Sequence, residues 1–313
     1  MKAGVETDIR GSTLLHMKRT LAALALLAAT SSFASAQDWA KAKLSASPRH
    51  GEFVTITEPG GRKLQAWVVY PEIKEKAPVV VMIHEIFGLS DWAREMADEV
   101  AGAGYIVVEP DLLSGYGPTT GAAPAAAPMP EDHAHMHTAT PGSAMVPATP
   151  GGTAAFPDVD SARRAVAALP QDGVTADLNA AADYGKALTA ANGKLYVAGF
   201  CWGGQQTFDF ATHRKDVSSY FVFYGPPPTA AAMKNITAPV YGFYAGNDAR
   251  VTSTIAQATL DMKAAGKTYE PVTYDGAGHG FMRAGEAPDA NAANTAARQQ
   301  GFRRLIQLLG GMH

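Results

Sequence analysis

The strongest constraint on the fold is the stretch LYVAGFCWGGQQTF, Leu195 to Phe208. A short apolar run (Leu195, Tyr196, Val197, Ala198) reads as a buried strand, it breaks at Gly199, and Gly203-Gly204 open a helix. Cys201 stands between them in the pattern Gly-x-Cys-x-Gly-Gly, the strand–turn–helix context of a nucleophile elbow with Cys in place of Ser. Such a turn strains the backbone at the nucleophile, and side chains at Gly199 or Gly203 would strike the neighbouring strand and helix. The helix that follows aims its first N–H groups at the sulfur, which favours thiolate, and the amide of Trp202 is placed to donate to an oxyanion. The alternative for Cys201 is a buried structural cysteine.

Two downstream loops weigh against that alternative. Asp248 follows the strand-like run Pro239–Tyr244, and His279 lies in the glycine-rich loop after Tyr274. The order nucleophile, acid, histidine, each at a loop after a strand, is that of an α/β-hydrolase triad. The expected triad is Cys201–His279–Asp248.

The 313 residues suffice for one large α/β domain, and 47% hydrophobic with 18% charged residues gives a well-filled core. A net charge of -3 offers no basic surface for nucleic acid. The single cysteine excludes an intramolecular disulfide and favours a chemical role for Cys201. Residues 17–37 read as a secretory signal: Met17-Lys18-Arg19, then the apolar run Leu21 to Ala29, then Ala34-Ser35-Ala36 before Gln37. The apolar run is too short to span a bilayer. The expectation is translation from Met17, a leader over 1–36, and an exported chain over 37–313, periplasmic in a Gram-negative source. A lone thiol there is exposed to over-oxidation.

Glu52–Glu58 and Lys63–Tyr70 alternate around Pro59-Gly60-Gly61 and predict an antiparallel hairpin. Pro78–His84 is a continuous apolar run, as expected of a strand covered on both faces. Trp92, Met96 and Val100 mark a helix, and Tyr105–Glu109, Tyr220–Tyr224 and Tyr269–Tyr274 read as strands. Helices are predicted at Ala176–Ala190 and Thr252–Ala265, with a closing amphipathic helix through Phe302, Leu305, Ile306 and Leu309. Strands alternating with helices predict an α/β fold, a mostly parallel central sheet with helices on both faces. From about 114 to 155 the chain is rich in Pro, Ala, Gly, Thr and Met and reads as a surface insertion in a single domain. It contains His133-Ala134-His135-Met136-His137, a set suited to copper or another soft-to-intermediate metal or else part of a solvated low-complexity loop; nothing fixes its geometry and no metal site is assigned.

His84-Glu85-Ile86-Phe87-Gly88-Leu89, Glu109-Pro110-Asp111-Leu112, Gly199-Phe200-Cys201-Trp202-Gly203-Gly204, Asp248 and His279-Gly280-Phe281 together resemble the dienelactone hydrolase family. The resemblance runs from about Phe53 to Leu309. It implies the α/β-hydrolase fold and hydrolysis of a small-molecule ester or lactone without a cofactor. It also implies that Glu85 contacts the thiol and takes its proton when substrate binds, so that the resting thiol is protected from oxidation. Ile86 would offer the second oxyanion amide. Arg283, four residues after His279, matches a family arginine that pairs with a substrate carboxylate, which suits its planar fork. For a second such arginine, Arg163 and Arg164 are the candidates.

The expected chemistry is a thioester acyl-enzyme on Cys201, with His279 activating water for deacylation. Trp202, Phe281 and Tyr116 are expected to wall an apolar pocket, and Phe87 to serve the core. A monomer is favoured. The rival readings are a non-catalytic binding protein on the same fold and an extracytoplasmic metal-binding protein acting through His133–His137.

Overall fold

The structure, a computed structural model, describes residues 37–117 and 151–310. The expected leader and the His133–His137 cluster lie outside the described residues. In chain order the elements are α1 (Asp38–Ala46), β1 (Gly51–Thr57), β2 (Lys63–Val69), β3 (Ala77–Ile83), α2 (Asp91–Gly102) and β4 (Ile106–Pro110). After a 3-10 turn at Thr153–Ala155 come α3 (Val159–Ala167), α4 (Gln171–Ala187), β5 (Ala191–Phe200), α5 (Trp202–His213) and β6 (Tyr220–Phe223). The chain closes with α6 (Ala230–Met233), β7 (Val240–Ala245), α7 (Ala249–Ala264), β8 (Tyr269–Tyr274), α8 (Phe281–Ala284) and α9 (Ala292–Leu309).

The strands form one 8-stranded sheet in the order β1-β2-β4-β3-β5-β6-β7-β8. The predicted hairpin is present: β1 and β2 pair antiparallel, from Gly51 opposite Val69 to Thr57 opposite Lys63. From β4 through β3 to β8 every pairing is parallel. This is the α/β-hydrolase architecture, and it explains the apolar run of β3. Val79, Val81 and Ile83 face a core shared with Leu178 and Phe208, while Val80 and Met82 face a second core with Trp92, Met96 and Leu305. Helices α4, α5 and α7 therefore cover one face and α1, α2 and α9 the other, removing both faces of the central strands from water.

Helix α3 escapes the sequence reading, and α4 begins earlier than predicted. Helix α3 begins where the low-complexity stretch ends; Asp158 caps it by accepting from the Ser161 amide at 2.7 Å, and Ala162 and Val166 face inward. Helix α4 starts at Gln171, five residues before the predicted Ala176, because Pro170 supplies a preset extended entry and Gly173 is tolerated in the first turn. The two ends of the insertion meet in an antiparallel bridge between Ser114 and Gly151. Among the described residues no helix is long and apolar enough to cross a membrane.

Candidate active site

Parallel strands deliver their carboxyl ends to one edge of the sheet, and the loops at those ends meet there. Cys201 follows β5, Asp248 follows β7 and His279 follows β8, while Glu85 follows β3 and Tyr224 follows β6. Cys201 takes φ 57 and ψ -116, a conformation that L side chains rarely adopt. The turn persists because its surroundings require it. A Cβ at Gly203 would collide with the backbone oxygens of Ile83 and His84, and one at Gly199 with the oxygen of Gly203. The amide of Cys201 is tied to the Phe223 carbonyl at 3.0 Å.

The three predicted triad residues lie in contact. The thiol of Cys201 lies 3.1 Å from His279 Nε2, and His279 Nδ1 donates to Asp248 Oδ2 at 2.5 Å. The two loops are laced together by Gly246 N to Tyr274 O at 2.9 Å, Asn247 N to Ala277 O at 2.9 Å and Asn247 Nδ2 to Gly276 O at 3.0 Å. Asn294 on α9 accepts from the Gly278 amide at 2.8 Å, which holds the histidine loop from behind.

The thiolate expected from the helix start gives way to the resting thiol that the resemblance implies. Burial pushes the Cys201 thiol up to about 11, and the charge of Glu85 adds to this; hydrogen bonds from the amides of Trp202 and Ile86 and the positive charge of Arg250 pull the other way without prevailing. The helix start is thus outweighed by desolvation. The same two amides are the expected oxyanion donors, and both favour the charged sulfur.

Glu85 is buried, with Oε2 accepting from Arg283 Nε at 2.8 Å and Oε1 accepting from the Tyr224 hydroxyl at 3.3 Å. Arg283 therefore serves Glu85 in this state, with its guanidinium carbon 4.8 Å from the Phe87 ring. Arg163 lies over the same ring at 5.9 Å. The roles expected of the aromatics are partly reversed. Phe281 is fully buried against Tyr224 and Tyr274, a core residue and not a pocket wall. Phe87 is half-buried at the site, sharing its ring with the two arginines. Trp202 and Tyr116 do line an apolar patch together with Ile86 and Phe156 around Leu113 and α3.

Tyr224 is the residue that sequence reasoning missed. It is fully buried at φ 40, and its ring meets that of His279 edge to face at 5.0 Å. Its position as the last residue of a predicted strand, followed by Gly225, was the available signal. His84, in sequence only the first residue of a motif, is fully buried and its ring stacks on Trp202 at 5.8 Å. Burial lowers its pKa, against the opposing charge of Asp111.

The sequence pattern of the dienelactone hydrolase family matches residues 64–312. The carboxymethylenebutenolidase 1 of Cupriavidus pinatubonensis is 27% identical over 256 residues, covering 82% of this chain and 96% of that protein. Among solved structures, a dienelactone hydrolase-like promiscuous phosphotriesterase from metagenomic libraries superposes with a TM-score of 0.62 at 18% identity, covering 84% of this chain and 98% of the other. The dienelactone hydrolase of Anabaena variabilis gives 0.53 at 17% identity, covering 81% and 96%. These last two likenesses speak to the fold alone.

Proposed function

The chain belongs to the dienelactone hydrolase family and is a hydrolase of carboxylic ester or lactone bonds, and on that footing we propose that Cys201 is its nucleophile, working through a thioester. The observation that carries this reading is the convergence on one sulfur of His279 Nε2, itself held by Asp248, and of the amides of Trp202 and Ile86.

At neutral pH the resting group is the thiol. A substrate carboxylate that reaches Arg283 competes with Glu85 for the guanidinium, and the released Glu85 accepts the thiol proton. The thiolate adds to the carbonyl carbon, and the developing oxyanion takes the amides of Trp202 and Ile86. Collapse of this intermediate breaks the carbon–oxygen ester bond and leaves a thioester on Cys201, the alkoxide leaving with the proton that Glu85 took from the thiol. His279, oriented by Asp248, then takes a proton from water as it attacks the thioester, and the returning proton restores the thiol. Residues 17–37 direct export in this proposal, and a thiol held protonated suits an oxidising compartment.

The test is a panel of p-nitrophenyl acetate and lactones with and without a carboxylate. Wild type is expected to hydrolyse both kinds of ester bond. Arg283→Gln is expected to lose about 10- to 100-fold more on carboxylate-bearing lactones than on neutral ones, the worth of a charge-assisted hydrogen bond. Equal losses on both would remove the carboxylate from the proposal.

A further inference from the structure

The two amides that favour the Cys201 thiolate come from distant loops, and one side chain touches the segment that carries each. His84 directly follows β3, with its ring fully buried. One ring face stacks on the indole of Trp202, with centroids 5.8 Å apart and planes 15° apart. Its Nδ1 lies 2.7 Å from the carbonyl oxygen of Glu85, and the amide of Leu112 donates to its Nε2 at 3.4 Å. These partners fix the tautomer. An N–H must face the Glu85 carbonyl, so Nδ1 carries the proton, and Nε2 is left as the acceptor for Leu112.

The carbonyl of Glu85 and the amide of Ile86 are the two ends of one peptide unit. A trans peptide is planar and points its C=O and N–H in opposite directions. Whatever holds the Glu85 oxygen therefore aims the Ile86 N–H, which is one of the two amides that favour the Cys201 thiolate. The Gly88 amide also donates to the Glu85 oxygen at 3.1 Å, so the peptide is held from two sides, by the turn itself and by the imidazole. The Leu112 contact ties the ring in turn to the end of β4, which leads into the insertion.

We propose that His84 is a positioning residue for the oxyanion donors: its Nδ1–H sets the direction of the Ile86 amide, and its ring backs Trp202, which carries the other donor. It touches no reacting atom. The inference rests on the acyl-enzyme reading of this site.

Two amide variants separate this role from bulk packing. His84→Asn places a donor where Nδ1–H stands; His84→Gln places its amide farther out, at the level of Nε2. Both are polar and close in size, so a purely structural role would treat them alike. The acylation burst with p-nitrophenyl acetate is expected to fall about 10- to 100-fold in His84→Gln, part of the worth of one oxyanion donor, with KM nearly unchanged. His84→Asn is expected to recover most of that loss. The pH midpoint of Cys201 alkylation by iodoacetamide is expected to rise in His84→Gln, because a misdirected Ile86 amide no longer favours thiolate, and to return in His84→Asn. Equal burst rates and midpoints in the two variants would overturn the proposal. Cys201→Ala, run alongside, keeps the two failures apart. If it retains the burst, the acyl-enzyme reading falls; if it loses the burst while Asn and Gln match, only the role of His84 falls.

Discussion

Cys201 stands at a helix start, a place that ordinarily lowers a thiol's pKa, yet the thiol is pushed up to about 11. Desolvation is the larger force, and the buried charge of Glu85 adds to it. Since the raised value keeps the proton on, alkylation by iodoacetamide is expected to be slow at neutral pH and to accelerate as pH climbs toward 11. Glu85→Gln removes a negative charge and leaves the Arg283 guanidinium unneutralised, so the midpoint of that profile is expected to move down. A midpoint unchanged or raised in the variant would contradict the electrostatic account. The same substitution is expected to lower ester hydrolysis, because Glu85 is assigned the thiol proton. Greater thiol reactivity with poorer catalysis is the signature to look for. Neither Tyr224 nor the Glu85–Arg283 pair was derivable from spacing: the pair is 198 residues apart in the chain, and only the sheet order brings it together.

Among the elements, those with a strong period were legible and those set by caps or neighbours were not. The run of β3, the hairpin β1–β2 and strand β8 follow from alternation or continuous apolarity, and β8 matches its predicted bounds. Helix α1 presents a single fully buried residue, Ala40, and α3 only Ala162 and Val166, too little period to stand out in sequence. Phe281 and Phe87 exchanged roles for a related reason. Both flank predicted functional residues, and only packing against Tyr224 and Tyr274 decides that Phe281 belongs inside. The elbow was legible because its glycines have no substitute. Gly203→Ala would press a methyl against the backbone oxygens of Ile83 and His84, which cannot yield as a side chain can. The expected cost is about 1–3 kcal/mol or more, read as a lower urea midpoint. Wild-type stability in this variant would mean that the β3–α5 packing is looser than described.

Across the molecule, the order of parallel strands places five candidate site residues just past the ends of β3, β5, β6, β7 and β8, all neighbours in one sheet. Family membership and fold were legible from scattered motifs because that order forces the motifs together. A second long-range cluster ties α1 and α2 to the loop after α8. Lys43 lies 3.1 Å from both Glu95 and Glu286, and Arg298 joins Glu99 to Glu286. Glu95 has 3% of its side chain exposed. Burial, then the charges of Glu286 and Glu99, push its carboxyl up to about 9. A carboxyl raised in the fold stabilises it fully below the unfolded value, and that contribution is lost as pH rises through the folded one. Thermal stability is therefore expected to decline between about pH 5 and 9. Glu95→Gln is expected to flatten that decline, and parallel curves for the two proteins would contradict it.

The central claim is the covalent role of Cys201. Its most direct test mixes p-nitrophenyl acetate with protein comprising residues 37–313, quenches within the burst, and weighs the intact chain. An acetyl adduct on wild type that is absent from Cys201→Ala, together with loss of the nitrophenol burst, is the predicted result. Equal rates in both proteins with no adduct in either would remove the thioester, and the triad with it, from the mechanism.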